Sequence, residues 1–167
     1  MRPIILAAAF CGAAASAQAS VTVSFIEGAP TDRFVISSDA SCETGPATVR
    51  INLDGSAGGL IFDVTAAGQG VEVFQPLTLV SGASQVMGIS EISDGGTDVF
   101  VDLKTLSSAV DVAFTLDLDD TAGGREITVS GAEIEGATVI MDMPGGPYMA
   151  TFNAAAKAVL GDVTCRS

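Results

Sequence analysis

The sequence predicts an all-β domain folded as an antiparallel β-sandwich, of the jelly-roll or immunoglobulin-like kind. Short runs rich in valine, isoleucine, threonine and phenylalanine alternate apolar with polar side chains, which is the period that buries one face of a strand. Clusters of glycine, serine, aspartate and alanine separate these runs at intervals of about 8–12 residues, as in sandwiches and barrels. The chain beyond residue 19 is long enough for one domain with a hydrophobic core.

The predicted strands follow one another with turn signals between them. In chain order they span residues 21–26, 47–53, 59–65, 70–74, 98–104, 110–118, 125–130, 137–142 and 148–152. Asp94 and Gly95 precede the strand at 98–104 and are typical of a hairpin turn. Residues 153–160 have helical composition, but this alanine-rich segment fits a last strand equally well.

The first 19 residues are predicted to be a signal peptide. Arg2 supplies a positive charge, residues 4–15 are apolar, and residues 17–19 form an A-x-A cleavage site. Cys11 raises the alternative of a lipoprotein, but the large Phe10 before it disfavours lipid attachment. We therefore expect a secreted single domain over residues 20–167, extracellular or periplasmic, with no membrane insertion.

The charge of the chain limits its partners. Removing Arg2 with the leader leaves six basic residues against 20 acidic ones, a net charge of −14. Binding to nucleic acid or to an anionic membrane depends on lysine and arginine, so neither partner is expected. The acidic groups either keep the surface solvated or collect divalent cations outside the cell.

Two cysteines, Cys42 and Cys165, remain after removal of the leader. An exported protein with two thiols most simply pairs them, so we predict a disulfide between these residues. In the chain-entropy model, closing so long a loop stabilises the fold by about 4–5 kcal/mol.

One stretch of sequence occurs twice. Residues 53–65 read LDGSAGGLIFDVT, and residues 118–130 read LDDTAGGREITVS. In each copy a strand ends, a turn with two glycines follows, and another strand begins. We interpret the copies as two corresponding hairpins at equivalent places in the sandwich, from an internal duplication. The alternative is a chance likeness between glycine-rich hairpins.

The second copy carries the strongest cluster of candidate metal ligands. Alternate positions on an extended strand project to the same side, so the carboxylates of Asp117 and Asp119 can converge with nearby carbonyl groups. Calcium prefers six to eight such oxygens. The predicted calcium ligands are Asp117, Asp119, Asp120, Thr121 and Glu126. The alternative is that Asp119 caps a turn while its neighbours face water.

Catalysis is not expected. The chain has no histidine, which excludes serine–histidine and cysteine–histidine mechanisms, and it has no G-x-S-x-G motif. It also lacks tryptophan, a common platform in sugar-cleaving clefts. Tyr148, the single tyrosine, fits either a sugar or partner contact or simple loop packing.

Several phrases in the chain resemble a known family. They are residues 25–34 (FIEGAPTDRF), 55–65, 70–76 and 119–131. Together they are similar to small secreted bacterial proteins that are described as similar to the core protein of the sponge aggregation factor. The resemblance covers about residues 21–165 and implies a β-rich extracellular module connected with calcium-dependent cell adhesion and assembly. The resemblance does not identify any ligand residues in this chain.

These observations predict a secreted, non-catalytic binding or structural module. Its expected role is adhesion or self-association at the cell surface or in the matrix, assisted by calcium. The expected partner is the protein itself, or a cell-surface protein or glycan. The alternative is a carbohydrate-binding or periplasmic accessory module of similar architecture.

Overall fold

The computed structural model describes residues 18–39, 43–67, 74–123 and 129–165. The strands within these ranges are β1 Gln18–Ile26, β2 Asp32–Ser38, β3 Ala47–Asn52, β4 Ile61–Phe62, β5 Thr78–Ser81, β6 Val86–Ile89, β7 Asp98–Leu103, β8 Val112–Leu116, β9 Leu118–Asp119, β10 Thr138–Met143, β11 Gly146–Thr151 and β12 Lys157–Thr164. In this part of the chain no helix is long and apolar enough to cross a membrane.

Two five-stranded antiparallel sheets pack face to face, which confirms the predicted β-sandwich. Sheet 1 has the strand order β12-β1-β2-β8-β5, and sheet 2 has the order β11-β10-β3-β7-β6. A third, two-stranded sheet joins β4 to β9. The segment at 153–160 turns at residues 154–155 and then enters β12, so the alternative of a last strand is correct.

The core lies between the two sheets because most of the long strands bury alternate side chains. In β2, for example, Phe34 and Ile36 are fully buried while Arg33 is exposed. Phe34 contacts three other phenylalanine rings, with centroid distances of 5.4 Å to Phe25, 5.5 Å to Phe114 and 6.3 Å to Phe152. Since Phe152 follows a strand of sheet 2, this aromatic cluster connects the two sheets.

The first copy of the repeated stretch is not the predicted hairpin. Both sides of β3 are occupied by β10 and β7, so the chain that follows β3 cannot fold back beside it. It reaches β9 instead, and Phe62 pairs with Leu118. The strands that precede the two copies also occupy different positions. The strand before the first copy, β3, is the central strand of sheet 2, whereas the strand before the second copy, β8, is the fourth strand of sheet 1. The repeated stretches therefore pair with each other.

The turns of the two copies also fit together. The carbonyl oxygen of Gly58 accepts hydrogen bonds from the backbone N–H groups of Thr121 and Ala122, each at 3.0 Å. The hydroxyl of Thr121 donates to the carbonyl of Gly59 at 2.6 Å. Gly59 has a φ of +59°, and a Cβ there would lie 2.7 Å from Thr121 Oγ1. The glycine thus provides both the backbone conformation and the space for the second copy.

Some of the predictions fall outside the described residues. These are the predictions for Cys42, for Glu126 and for residues 1–17 of the leader, and most of the predicted strands at 70–74 and 125–130. Cys165, one half of the predicted disulfide, forms an antiparallel backbone bridge with Thr44. Thr44 lies only two positions after Cys42 in the chain. This pairing favours the disulfide, which stays a prediction.

Peptide mapping of the exported protein under non-reducing conditions should recover Cys42 and Cys165 in one linked peptide. Reduction should then lower the free energy of unfolding by about 2–5 kcal/mol, because the unfolded chain regains its freedom. Recovery of both residues as free thiols would contradict the pairing.

Replacing Phe34 with alanine should lower the free energy of unfolding by about 3–5 kcal/mol, because the cavity lies at the centre of the aromatic cluster. Phe100 is 40% exposed on the outside of sheet 2, so Phe100→Ala is the matched control and should cost much less. Urea denaturation measures both. Equal losses would show that Phe34 does not organise the core.

Candidate cation site

Three carboxylates meet where the repeated stretches pair. Oxygen atoms of Asp63, Asp117 and Asp119 all lie within 4.8 Å of one another. Two oxygens bound to one calcium ion lie at most about 5 Å apart, because each ligand distance is about 2.3–2.6 Å. The spacing of these carboxylates therefore fits a shared divalent cation.

The short pairing of β4 with β9 produces this arrangement. Asp119 ends β9 and is the register partner of Ile61, while Asp117 lies between β8 and β9. Asp63 follows β4 directly, and its backbone N–H donates to the carbonyl of Asp117 at 3.1 Å. The three carboxylates thus come from two chain segments, one that leaves sheet 2 after β3 and one that leaves sheet 1 after β8.

The chain after Asp63 is fixed by Asp94. Asp94 Oδ1 accepts hydrogen bonds from the backbone N–H groups of Val64 at 2.8 Å and Thr65 at 2.9 Å. The Thr65 hydroxyl also donates to this carboxylate, and these bonds hold the pKa of Asp94 below its ordinary value. The turn at Asp94 lies between β6 and β7, which pair, so the predicted hairpin is confirmed.

The cluster is electrostatically costly at neutral pH. Burial, followed by the charges of Asp119 and Asp63, raises the pKa of Asp117 to about 6. Asp63 is only 1% exposed, so its charge is poorly screened by water. A bound cation would lower this cost by neutralising the converging carboxylates.

A fourth acid, Asp32, faces the same region from β2. Burial raises its pKa to about 7, and the charges of Asp117 and Glu27 add to the shift. Hydrogen bonds from the backbone N–H groups of Gly28 and Leu118 oppose the shift. Asp32 and Asp117 are therefore two carboxyl groups that bind protons near neutral pH.

The structure brings together only some of the predicted calcium ligands. Asp117 and Asp119 come together as expected, whereas Thr121 donates its hydroxyl to the other copy's turn. Asp120 is 9% exposed, and its Oδ1 accepts no hydrogen bond from the described residues, but it is not a member of the three-carboxylate group. Glu126 lies outside the described residues.

Asp63 is the member of the cluster that sequence reasoning missed. It occupies a polar position in the alternating run at 59–65, which is typical of an ordinary strand. Tyr148, the other candidate contact, is half-buried, and its hydroxyl accepts from the backbone N–H of Thr164 at 3.3 Å. That contact agrees with loop and edge packing.

Comparison with family models, with curated proteins and with solved structures gives no match to this chain. The resemblance to secreted bacterial proteins like the sponge aggregation factor core protein therefore stays a prediction. The carboxylates of Asp63, Asp117 and Asp119 are the geometric feature from which a function can be argued.

The free energy of unfolding in cation-free buffer should be larger at about pH 5 than at about pH 8. Asp117 and Asp32 have raised native pKa values of about 6 and about 7, so the native state binds protons that the unfolded state releases. Stability is therefore lost as the pH rises through these values. Chemical denaturation at a series of pH values, with a chelator present, measures the effect.

The variant Asp32→Asn should reduce this pH dependence and stabilise the protein at about pH 8 by about 1–2 kcal/mol, because an uncharged group replaces a buried carboxylate. Asp111→Asn, at an exposed loop position, is the matched control and should change neither quantity. A protein that is equally or more stable at the higher pH would contradict the electrostatic account.

Proposed function

We propose that this protein is a secreted, non-catalytic binding or structural module that acts in adhesion or self-association at the cell surface or in the matrix, assisted by calcium. The observation that carries the proposal is the convergence of Asp63, Asp117 and Asp119 within 4.8 Å. Oxygen-rich sites with several carboxylates are the sites that calcium prefers, and extracellular modules bind it with dissociation constants of about 10⁻⁴–10⁻³ M.

Calcium at this position has a structural role. Asp63 follows β3 and β4, and Asp117 and Asp119 follow β8, so one ion connects the segments that leave sheet 2 and sheet 1. Neutralising the cluster would remove repulsion between carboxylates at the place where the two copies pair. We therefore expect calcium to make the sandwich more rigid as it presents its outer faces to a partner.

Two surface pockets lack the carboxylate pair of a glycoside hydrolase. One pocket of about 300 Å³ includes Met87, Met143 and Pro144, and its single acid is Asp142. Another of about 360 Å³ includes Phe74, and its single acid is Glu91. Glycoside hydrolysis usually needs a pair of carboxylates on opposite sides of the scissile bond, and neither of these pockets supplies such a pair.

Calcium in about 100-fold excess over its dissociation constant should raise the free energy of unfolding by about 2–3 kcal/mol. The double variant Asp117→Asn/Asp119→Asn should be more stable than the native protein in chelator, because repulsion is removed, yet gain nothing from calcium. Thermal unfolding with and without calcium measures both effects, and titration calorimetry measures binding directly.

The variant Asp111→Asn is again the matched control and should keep the full calcium response. Light scattering should show calcium-dependent particles in the native protein and not in the double variant. No calcium heat, together with melting curves that calcium leaves unchanged, would overturn the calcium-assisted function.

A further inference from the structure

The first strand begins before the predicted end of the leader. β1 spans Gln18–Ile26, whereas cleavage at the A-x-A motif of residues 17–19 would make Ser20 the first residue of the exported chain. That cut would remove Gln18 and Ala19 from β1, which lies between β12 and β2 in sheet 1. Two residues of the predicted leader are therefore part of the folded sheet.

Ala19 belongs to the hydrophobic core. It is 5% exposed and is the first of the inward-facing side chains of β1, followed by Val21 and Val23. Its register partner in β12 is Val163, which is fully buried. A chain that began at Ser20 would lose the burial of Ala19 and uncover Val163, and both losses of buried apolar surface are destabilising.

The same two residues hold the end of the last strand. Gln18 pairs with Thr164, and Ala19 pairs with Val163. The next residue, Cys165, forms its backbone bridge with Thr44. Residues 18–19 therefore position the chain directly before one half of the predicted disulfide. Without them, Val163 and Thr164 would lose their partners in β1.

A chain that began at Ser20 would gain little in return. The backbone nitrogen of Ser20 donates to Asp39 Oδ1 at 2.7 Å, and the backbone N–H of Asp39 donates to the carbonyl of Ser20 at 3.1 Å. A cut before Ser20 would turn this nitrogen into a charged amine that faces a carboxylate. Asp39 is exposed, however, and exposed ion pairs contribute little to stability. The ion pair would not offset the lost core contact and strand pairing.

The sequence contains another cleavage motif two residues earlier. Residues 15–17 read ASA, which also has small residues at both ends of an A-x-A pattern. A cut after Ala17 leaves the whole of β1 in the exported chain. The similar alanines at residues 13–15 lie inside the apolar run of residues 4–15, whereas the cleavage site of a signal peptide follows that run.

We infer that the leader is cut between Ala17 and Gln18, so that Gln18 is the first residue of the exported protein. The cut is a hydrolysis of one peptide bond, in which water leaves a carboxylate on Ala17 and a free amine on Gln18. The exported chain is then residues 18–167, two residues longer than the domain expected from the sequence. The inference rests on export, which is part of the proposed function, and it names the processing site.

Intact-mass spectrometry tests the cut on the full chain, expressed with its leader in a bacterium, exported and then reduced. The expected mass is that of residues 18–167, with or without the loss of one ammonia molecule that an N-terminal glutamine commonly undergoes. A processed chain that begins at Ser20, or at any other residue, would overturn the inference but preserve export and the proposed function. A chain that retains the whole leader from Met1 would overturn both.

Two variants distinguish the motifs, because Ala15 belongs only to the motif at 15–17 and Ala19 only to the motif at 17–19. Ala19→Val places a branched side chain where the later motif needs a small one, and it should still give a chain that begins at Gln18. Ala15→Phe is the matched variant of the earlier motif and should lose the Gln18 product. The mass of the chain measures processing whether or not a variant folds. Normal processing of Ala15→Phe, with uncut chain accumulating for Ala19→Val, would contradict the inference.

Discussion

The burial of two alternating apolar faces against each other is the interaction on which the rest of the structure depends. Phe34 and its three aromatic neighbours lie at the centre of that contact. Once the faces are buried, the chain leaving β3 and the chain leaving β8 must cross the same end of the sandwich. Their pairing as β4 and β9 is a consequence of this packing, and so is the meeting of three carboxylates there.

Packing of the apolar core holds several carboxyl groups close together although they repel one another. This repulsion, together with burial, accounts for the raised pKa values of Asp117 and Asp32, and it is the reason for the proposed role of calcium. Asp117 and Asp32 are forced close to other acids by strands whose apolar residues gain more from burial than the acids lose. A cation bound by Asp63, Asp117 and Asp119 would reduce the repulsion among these three carboxylates. It would thereby couple the chain segments that leave the two sheets.

The sandwich was predictable from the sequence because strand burial follows a local period of two. The convergence of Asp117 and Asp119 was predictable for the same reason, since alternate residues share a side of a strand. Asp63 was not, because it joins them only through a pairing between distant segments. Strands β2, β5 and β6 were not predicted. In β2 the consecutive apolar residues 34–36 obscure the alternation. Strands β5 and β6 are short, and each has a register shift where it meets its neighbour. The hairpin interpretation was wrong because the neighbours of β3 are set by the sheet and not by the adjacent turn.

Hydrogen exchange of the backbone amides with and without calcium tests most directly the claim that a cation couples the two repeated stretches. Calcium should slow exchange at Asp63, Thr121 and Ala122, whose N–H groups bond across the pairing of the two chain segments. The amides of β1 and β2, in the centre of sheet 1, should change little by comparison. Slower exchange confined to the paired stretches would agree with the account. Equal exchange rates at these amides in the presence and absence of calcium would contradict it.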